Sequence, residues 1–149
     1  MSMLVDATAR EMKVAMQYML QHTLCIGEGS SGSKAAGFIG SHRSVFLPGK
    51  SLKKIAITEM RHAEAVAERI SSLGGELPGQ PLPFVVGKTI VEILAIDKAE
   101  EETAINLYNR IISTARKEGD YGTERLFKRI LSDEEGHHRT FEALLMETT

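Results

Sequence analysis

The chain has 149 residues, a formal net charge of −2 and a single cysteine, and these values exclude several classes of protein. The length suits one domain, which we expect to cover residues 1–149. The near-neutral charge predicts neither a nucleic-acid partner nor binding to an anionic membrane. Cys25 has no second cysteine for a disulfide, and no apolar run approaches a signal peptide or the ~20 residues that span a bilayer. We therefore expect a cytoplasmic protein.

Helical periodicity dominates the sequence, and the alternating pattern of strands is nearly absent. Ser51 is a plausible N-cap for the second helix, and Asp120 is a plausible N-cap for the fourth. Gly74 and Gly75 supply a C-terminal signal after the second helix. Periodicity and end signals together predict four helices, over residues about 4–24, 51–73, 89–117 and 123–147.

The connections between these helices predict their topology. A Gly- and Ser-rich loop over about 25–50 follows the first helix. The segment over about 74–88 contains ELPGQPLPF, whose prolines exclude a helix, and at ~3.3 Å per residue it can run the length of a bundle. The second and third helices can therefore lie parallel. We predict an all-α fold, a four-helix bundle with one long crossover between the second and third helices. Four apolar residues of the first loop could dock on a neighbour: Phe38, Ile39, Val45 and Phe46.

Two of the predicted helices carry a Glu and a His three positions apart. Glu59 and His62 occur in ITEMRHAEA, and Glu134 and His137 occur in SDEEGHHRTF. Residues at i and i+3 share a helix face, so each pair points in one direction. One such pair is common at surfaces and helix ends, but the repetition favours a shared function. The adjacent His138 is rotated by about 100° from that face, and we expect it at the surface or an interface.

The other two helices each carry a Glu followed seven positions later by a Tyr. Glu11 precedes Tyr18 in EMKVAMQY, and Glu101 precedes Tyr108 in EETAINLY. Two helical turns separate the members of each pair, so they also share a face. We interpret both tyrosines as packing residues that hydrogen-bond a ligand carboxylate. His22 lies one turn beyond Tyr18, near the bundle end, and we expect it either to support a ligand residue or to have a structural role.

Four carboxylates and two imidazoles inside an apolar bundle require compensation, because an isolated buried ion pays heavily for leaving water. Two metal ions remove that objection, since carboxylates suit hard ions and imidazole suits iron. A zinc hydrolase fits poorly because His-Glu-x-x-His is missing. Nucleophilic catalysis fits worse, because Cys25 has no recognisable partner and no Gly-x-Ser-x-Gly elbow occurs.

Four stretches, REMKVAMQY, EMRHAEAVAERI, LGGELP and ILSDEEGHH, resemble bacterioferritin and the ferritin-like di-iron carboxylate family across all four helices. The resemblance implies a ferritin-like bundle with two iron ions, bridged by Glu59 and Glu134. It further implies that Glu11 and His62 complete one iron position and that Glu101 and His137 complete the other. Among neighbouring glutamates we choose Glu101, because its spacing to Tyr108 repeats that of Glu11 to Tyr18.

The resemblance also concerns assembly and a second cofactor. Met60 stands where bacterioferritins carry the methionine that binds haem b between two subunits, although methionine is equally a flexible core filler. A homo-oligomer, at least a two-fold dimer, is therefore expected. The long first loop and the absence of the family's short fifth helix make a 24-subunit cage doubtful.

The function implied is a ferroxidase, which oxidises Fe(II) to Fe(III) with O2 or H2O2 for iron storage or detoxification. Two alternatives remain open at this point. The first is a rubrerythrin-like peroxidase or another di-iron oxidase, although one cysteine cannot build the Cys-rich electron-transfer module of rubrerythrins. The second is a metal-free structural helical bundle that acts through assembly.

Overall fold

The computed structural model describes residues 1–27 and 42–149, and the side chains of residues 26–27 and 42–47 lie outside the description. The docking prediction for Phe38, Ile39, Val45 and Phe46 falls on the part that is not described. Every regular element of the described residues is a helix. The four are α1 (Ser2–Gly27), α2 (His42–Ser72), α3 (Ile90–Lys117) and α4 (Tyr121–Thr148).

Local sequence signals account for most helix ends. Thr89 caps α3 by accepting a hydrogen bond from the Glu92 amide at 3.2 Å. Asp120 caps α4, as predicted, through a 3.0 Å bond from the Thr123 amide to its Oδ1. Gly74 follows α2 with a φ of 71°, a backbone conformation that glycine adopts without steric cost. The ends of α2, α3 and α4 are thus specified by individual residues.

The start of α2 corrects the prediction. The helix begins at His42 rather than at Ser51, so the predicted loop over about 25–50 is wrong in its final part. Pro48 lies inside the helix, and both Pro48 and Gly49 are buried. A proline removes one backbone hydrogen bond and bends a helix without having to end it. Packing against α1, where His22 Nδ1 lies 2.7 Å from the Gly49 carbonyl oxygen, offsets that cost.

Contacts between the helices establish the predicted topology. α1 packs on α2, and α3 packs on α4. Tyr18 of α1 contacts Glu101 of α3, and Tyr108 of α3 contacts Glu11 of α1. The helices α1 and α3 therefore run antiparallel. His22 of α1 contacts Gly49 of α2 and Glu11 contacts His62, so α2 is also antiparallel to α1. The helices α2 and α3 are therefore parallel. The predicted all-α bundle with one long crossover is confirmed.

Two hydrophobic clusters fill the bundle on either side of its middle. Tyr18 packs edge-on against Phe141 in one cluster, with ring centroids 5.4 Å apart, and Tyr108 packs in the same way against Phe127 in the other, at 5.2 Å. Glu11 lies on α1 between these clusters. A polar centre therefore interrupts an otherwise apolar interior. None of the helices in the described ranges is both long and apolar enough to cross a membrane.

Candidate metal centre

The polar centre contains all six side chains that the sequence indicated. α1 and α3 each contribute one glutamate, and α2 and α4 each contribute a glutamate and a histidine one turn apart. The four carboxylates have no exposed surface, and His62 is 6% exposed. The residues are Glu11, Glu59, His62, Glu101, Glu134 and His137.

These side chains form two overlapping groups, in each of which one donor atom per residue lies within 4.8 Å of all the others. The first group adds Glu11 and His62 to the shared pair Glu59 and Glu134, and the second adds Glu101 and His137. Two carboxylates common to both groups have the arrangement needed to bridge a pair of ions. Hard cations with carboxylate and imidazole ligands suit such a donor set.

The imidazoles face the shared carboxylates through the same ring nitrogen. His62 Nδ1 lies 2.9 Å from Glu134 Oε1 and 3.0 Å from Glu59 Oε2. His137 Nδ1 lies 2.7 Å from Glu59 Oε1 and 3.6 Å from Glu134 Oε2. The two rings stack with centroids 6.2 Å apart. Both nitrogens therefore point to the centre of the cluster, where each can serve as a donor to a metal.

Unsatisfied buried atoms show that the protein alone does not complete this cluster. Oxygens of all four glutamates and Nδ1 of His137 are buried without a hydrogen-bond partner of good geometry. Native structures leave few such atoms, because each costs the free energy of its lost hydration. Two cations among these oxygens would satisfy them, so the residues present fit a dinuclear metal site.

The pKa values describe how the cluster balances its charge without metal. Burial and the neighbouring carboxylates raise the pKa of Glu11 and Glu101 well above the ordinary value. Burial also disfavours charge on Glu134, but close polar contacts with Glu101 and with both histidines lower its pKa. Burial acts to lower the pKa of His137, yet close contacts with Glu134 and Glu59 raise it to about 9. Protons on some groups thus neutralise the charge of others.

The two tyrosines join the halves of the bundle. The Tyr18 hydroxyl donates to Glu101 Oε1 across α1 and α3, and the Tyr108 hydroxyl donates to Glu11 Oε1 in the opposite sense. Both side chains have no exposed surface. Each tyrosine therefore orients the glutamate of the other helix, not the glutamate on the same helix as the tyrosine.

Asp133 is a site residue that sequence reasoning missed. Its Oδ2 lies 3.1 Å from His62 Nε2, on the side of the ring away from the cluster. A carboxylate on the outer nitrogen of a ligand histidine fixes the tautomer and the ring orientation. The only signal was its position beside Glu134 in SDEEGHH, which does not show that it reaches α2.

Arg10 is the second missed residue. It is 3% exposed, and its guanidinium donates through Nη2 to the Glu100 carbonyl oxygen of α3. Its Nη1 lies 3.9 Å from Glu11 Oε1. A permanent positive charge is therefore buried next to a ligand candidate. Its neighbour relation to Glu11 in the sequence gave no sign of burial, because adjacent helical residues face different directions.

A third polar group lies between α1 and α3, one turn from Glu101. Asp97 has no exposed surface, and its Oδ1 accepts hydrogen bonds from Gln17 Nε2 at 2.9 Å and from Gln21 Nε2 at 3.0 Å. Burial raises the pKa of Asp97 to about 7. Its Oδ2 and both amide oxygens have no hydrogen-bond partner of good geometry. The group joins the two helices at an energetic cost.

The remaining residues singled out from the sequence lie away from the cluster. His22 contacts the Gly49 carbonyl oxygen of α2, which fits the structural role of the two that were expected. His138 Nε2 lies 3.1 Å from Glu102 Oε1, linking α4 to α3 at the surface. Met60 is 56% exposed, so the alternative that it fills the core is wrong.

Comparisons with known proteins agree with this geometry. A family model described as Ferritin-like domain matches residues 49–149. Bacterioferritin of Desulfovibrio desulfuricans is 36% identical over 137 residues, which cover 91% of this chain and 68% of that protein. Bacterioferritin of Rhodobacter capsulatus is 34% identical over 59% of this chain and 55% of its own length.

Solved structures give the same result. A bacterioferritin from Mycobacterium tuberculosis superposes with a TM-score of 0.83 at 25% identity, over 97% of this chain and 82% of that one. The D. desulfuricans bacterioferritin, described with its diiron site in different catalytic states, gives 0.81 at 32% identity, over 97% and 77%. Sequence and structure agree that the chain belongs to the ferritin-like family, among the bacterioferritins.

Proposed function

We propose that the protein is a bacterioferritin-type ferroxidase, which binds two Fe(II) ions in the cluster and oxidises them to Fe(III) with O2 or H2O2. The observation that carries this proposal is the pair of overlapping donor groups that share Glu59 and Glu134. The relationship to a bacterioferritin described with a diiron site supports it. Storage or detoxification of iron is the physiological outcome that this activity serves.

The donor groups support a specific division of roles. Glu59 and Glu134, which belong to both groups, would bridge the two iron ions. Glu11 and His62 would complete one position, and Glu101 and His137 would complete the other. Iron bound there supplies the redox chemistry, since it gives up electrons to the oxidant.

The protein's own residues control binding and protons. Burial raises the pKa values of Glu11 and Glu101, which favours the protonated carboxyls in the metal-free site, and a protonated carboxyl must release its proton before it can bind a cation as a carboxylate. The bonds from Tyr18 and Tyr108 hold the same two carboxyls in place. The apolar clusters on both sides exclude bulk water, which strengthens every charge interaction within the centre.

We also propose that two copies pair through the outer surface of α1 and α2 and hold haem b there through Met60. Met60 and Ile57 of α2 are exposed, as are Met16 and Leu20 of α1. These apolar side chains lie on two helices that pack together, and an exposed thioether next to apolar surface suits a haem shared with a second copy. A cytoplasmic location is part of the same proposal, supported by a single cysteine that needs no oxidising compartment.

Anaerobic titration with Fe(II), followed by addition of O2 or H2O2, tests the ferroxidase. We expect two Fe(II) per chain and rapid formation of Fe(III). Glu134→Ala removes a ligand from both positions and should abolish rapid oxidation while the helical circular dichroism persists. Glu135→Ala is the matched control, because Glu135 is the exposed neighbour. A native protein that takes up no Fe(II) would instead support the metal-free structural bundle.

A further inference from the structure

Arg10 is a buried cation whose own charge is incompletely balanced. It is 3% exposed, and its Nε and Nη1 have no hydrogen-bond partner of good geometry. The closest carboxylate outside the cluster is that of Glu100, with Oε2 at 3.9 Å from Arg10 Nη2. Glu100 already pairs with Lys13 Nζ at 2.6 Å. Two cations therefore share one carboxylate, and net positive charge remains beside the metal centre.

The effect of this net positive charge depends on the charge of the metal centre itself. Four carboxylates carry four negative charges, and two Fe(II) ions balance them. Two Fe(III) ions carry two more positive charges than the four carboxylates balance, and Arg10 adds a third. Arg10 Nη1 lies 3.9 Å from Glu11 Oε1, so an iron held by Glu11 is separated from the guanidinium by one carboxylate. Repulsion over such a distance in a buried site reaches on the order of tenfold in binding for each charge on the metal.

We propose that Arg10 sets the charge selectivity of the metal centre: its permanent positive charge weakens the binding of metal cations, and weakens trivalent ions more than divalent ones. The preference of four carboxylates for Fe(III) over Fe(II) is then smaller than it would be without Arg10. Arg10 would therefore make release of the oxidised product easier. This inference rests on the proposed function, because it assumes that the six-residue cluster binds metal.

Redox-inert ions test the proposal without any turnover. Zn²⁺ stands for Fe(II) and Ga³⁺ stands for Fe(III), and competition with a chelator gives the affinity of each. Arg10→Gln removes the charge but keeps an amide donor, and Arg10→Met serves if the first variant folds poorly. Arg10→Lys keeps the charge. Lys13→Met is the matched control, since it removes a cation from the same contact with Glu100 but not the one beside Glu11.

The expected result is a gain in Zn²⁺ affinity of about tenfold or more in Arg10→Gln, with a larger gain for Ga³⁺. Arg10→Lys should stay near the native values, and Lys13→Met should change far less. If Arg10 had only a structural role, Arg10→Gln would weaken the binding of both ions equally or leave both affinities unchanged. Either result overturns the proposal. Failure of the ferroxidase proposal looks different, because the native chain itself would then not bind two Zn²⁺ ions.

Discussion

The Tyr18 hydroxyl of α1 donates a 2.5 Å hydrogen bond to Glu101 Oε1 of α3, inside a pocket without solvent access. Tyr18→Phe removes this donor and frees the carboxylate to rotate. We expect Fe(II) oxidation or metal affinity to fall by roughly 10–100-fold, the usual effect of losing a group that orients a ligand. Stopped-flow absorbance at fixed Fe(II) checks the rate. Tyr121→Phe, at an exposed tyrosine of α4, is the control and should leave the rate unchanged.

Metal uptake should release protons. Burial raises the pKa values of Glu11 and Glu101, and the neighbouring carboxylates raise those of both cluster histidines against the effect of burial, that of His137 to about 9, so the protonated form of each group is favoured. Each must lose its proton to bind a cation, so affinity should fall as the pH falls. Zn²⁺ added to metal-free protein in weak buffer, with an indicator dye, measures the release. We expect up to four protons per chain, and release of fewer than one would contradict the charge states described above.

The buried carboxyl of Asp97 makes the folded state less stable at high pH. Its pKa of about 7 in the folded state exceeds the ordinary 3.8, so its proton is bound more tightly when folded. Stability is therefore highest below pH 3.8 for this group and is lost as the pH rises towards 7. Asp97→Asn should remove this loss and stabilise the metal-free protein at pH 8, by on the order of 4 kcal/mol at most.

The new amide would also donate towards the amide oxygens of Gln17 and Gln21, which now have no partner of good geometry. Urea denaturation at pH 5 and pH 8 measures the difference between variant and native protein. Asp6→Asn, at an exposed aspartate of α1, is the control. Equal pH dependence in the Asp97 variant and the native chain would show that Asp97 is ionised without penalty.

Met60 offers a separate prediction for haem. Met60→Leu keeps the apolar surface of α2 but removes the sulfur that would bind iron. We expect haem added to the native protein to give a methionine-ligated absorption spectrum in a dimer, and the variant to lose that spectrum. Met146→Leu, at an exposed methionine of α4, controls for general loss of a thioether. Retention of the native spectrum by Met60→Leu would rule out this ligand.

The bundle and its central cluster could be predicted because they depend on periodicity. Residues at i and i+3 of a helix share a face, so Glu59 and His62 could be placed together from the sequence. The second pair, Glu134 and His137, could be recognised by the same spacing without knowledge of how the helices pack. The start of α2 could not be predicted in the same way. Pro48 reads locally as a helix breaker, and only packing on α1 overrides that tendency.

Arg10 and Asp133 were missed for a related reason. Whether a side chain at the edge of a helix face is buried depends on the neighbouring helix, which the sequence pattern of one helix does not describe. Arg10 is covered by α3, and Asp133 reaches His62 on α2. Charge alone suggested that both side chains face solvent, but Arg10 is buried, and the exposed Asp133 still contacts His62 across the helix interface.

The order in which the ligands leave the ribosome gives the shared position of Glu134 a further meaning. Glu134 belongs to both donor groups and lies on α4, the helix synthesised after the other three. A nascent chain that has exposed only α1, α2 and α3 has Glu59 but lacks Glu134 and His137, so neither donor group is complete. If the cluster binds iron as proposed, both iron positions are complete only after α4 has been synthesised.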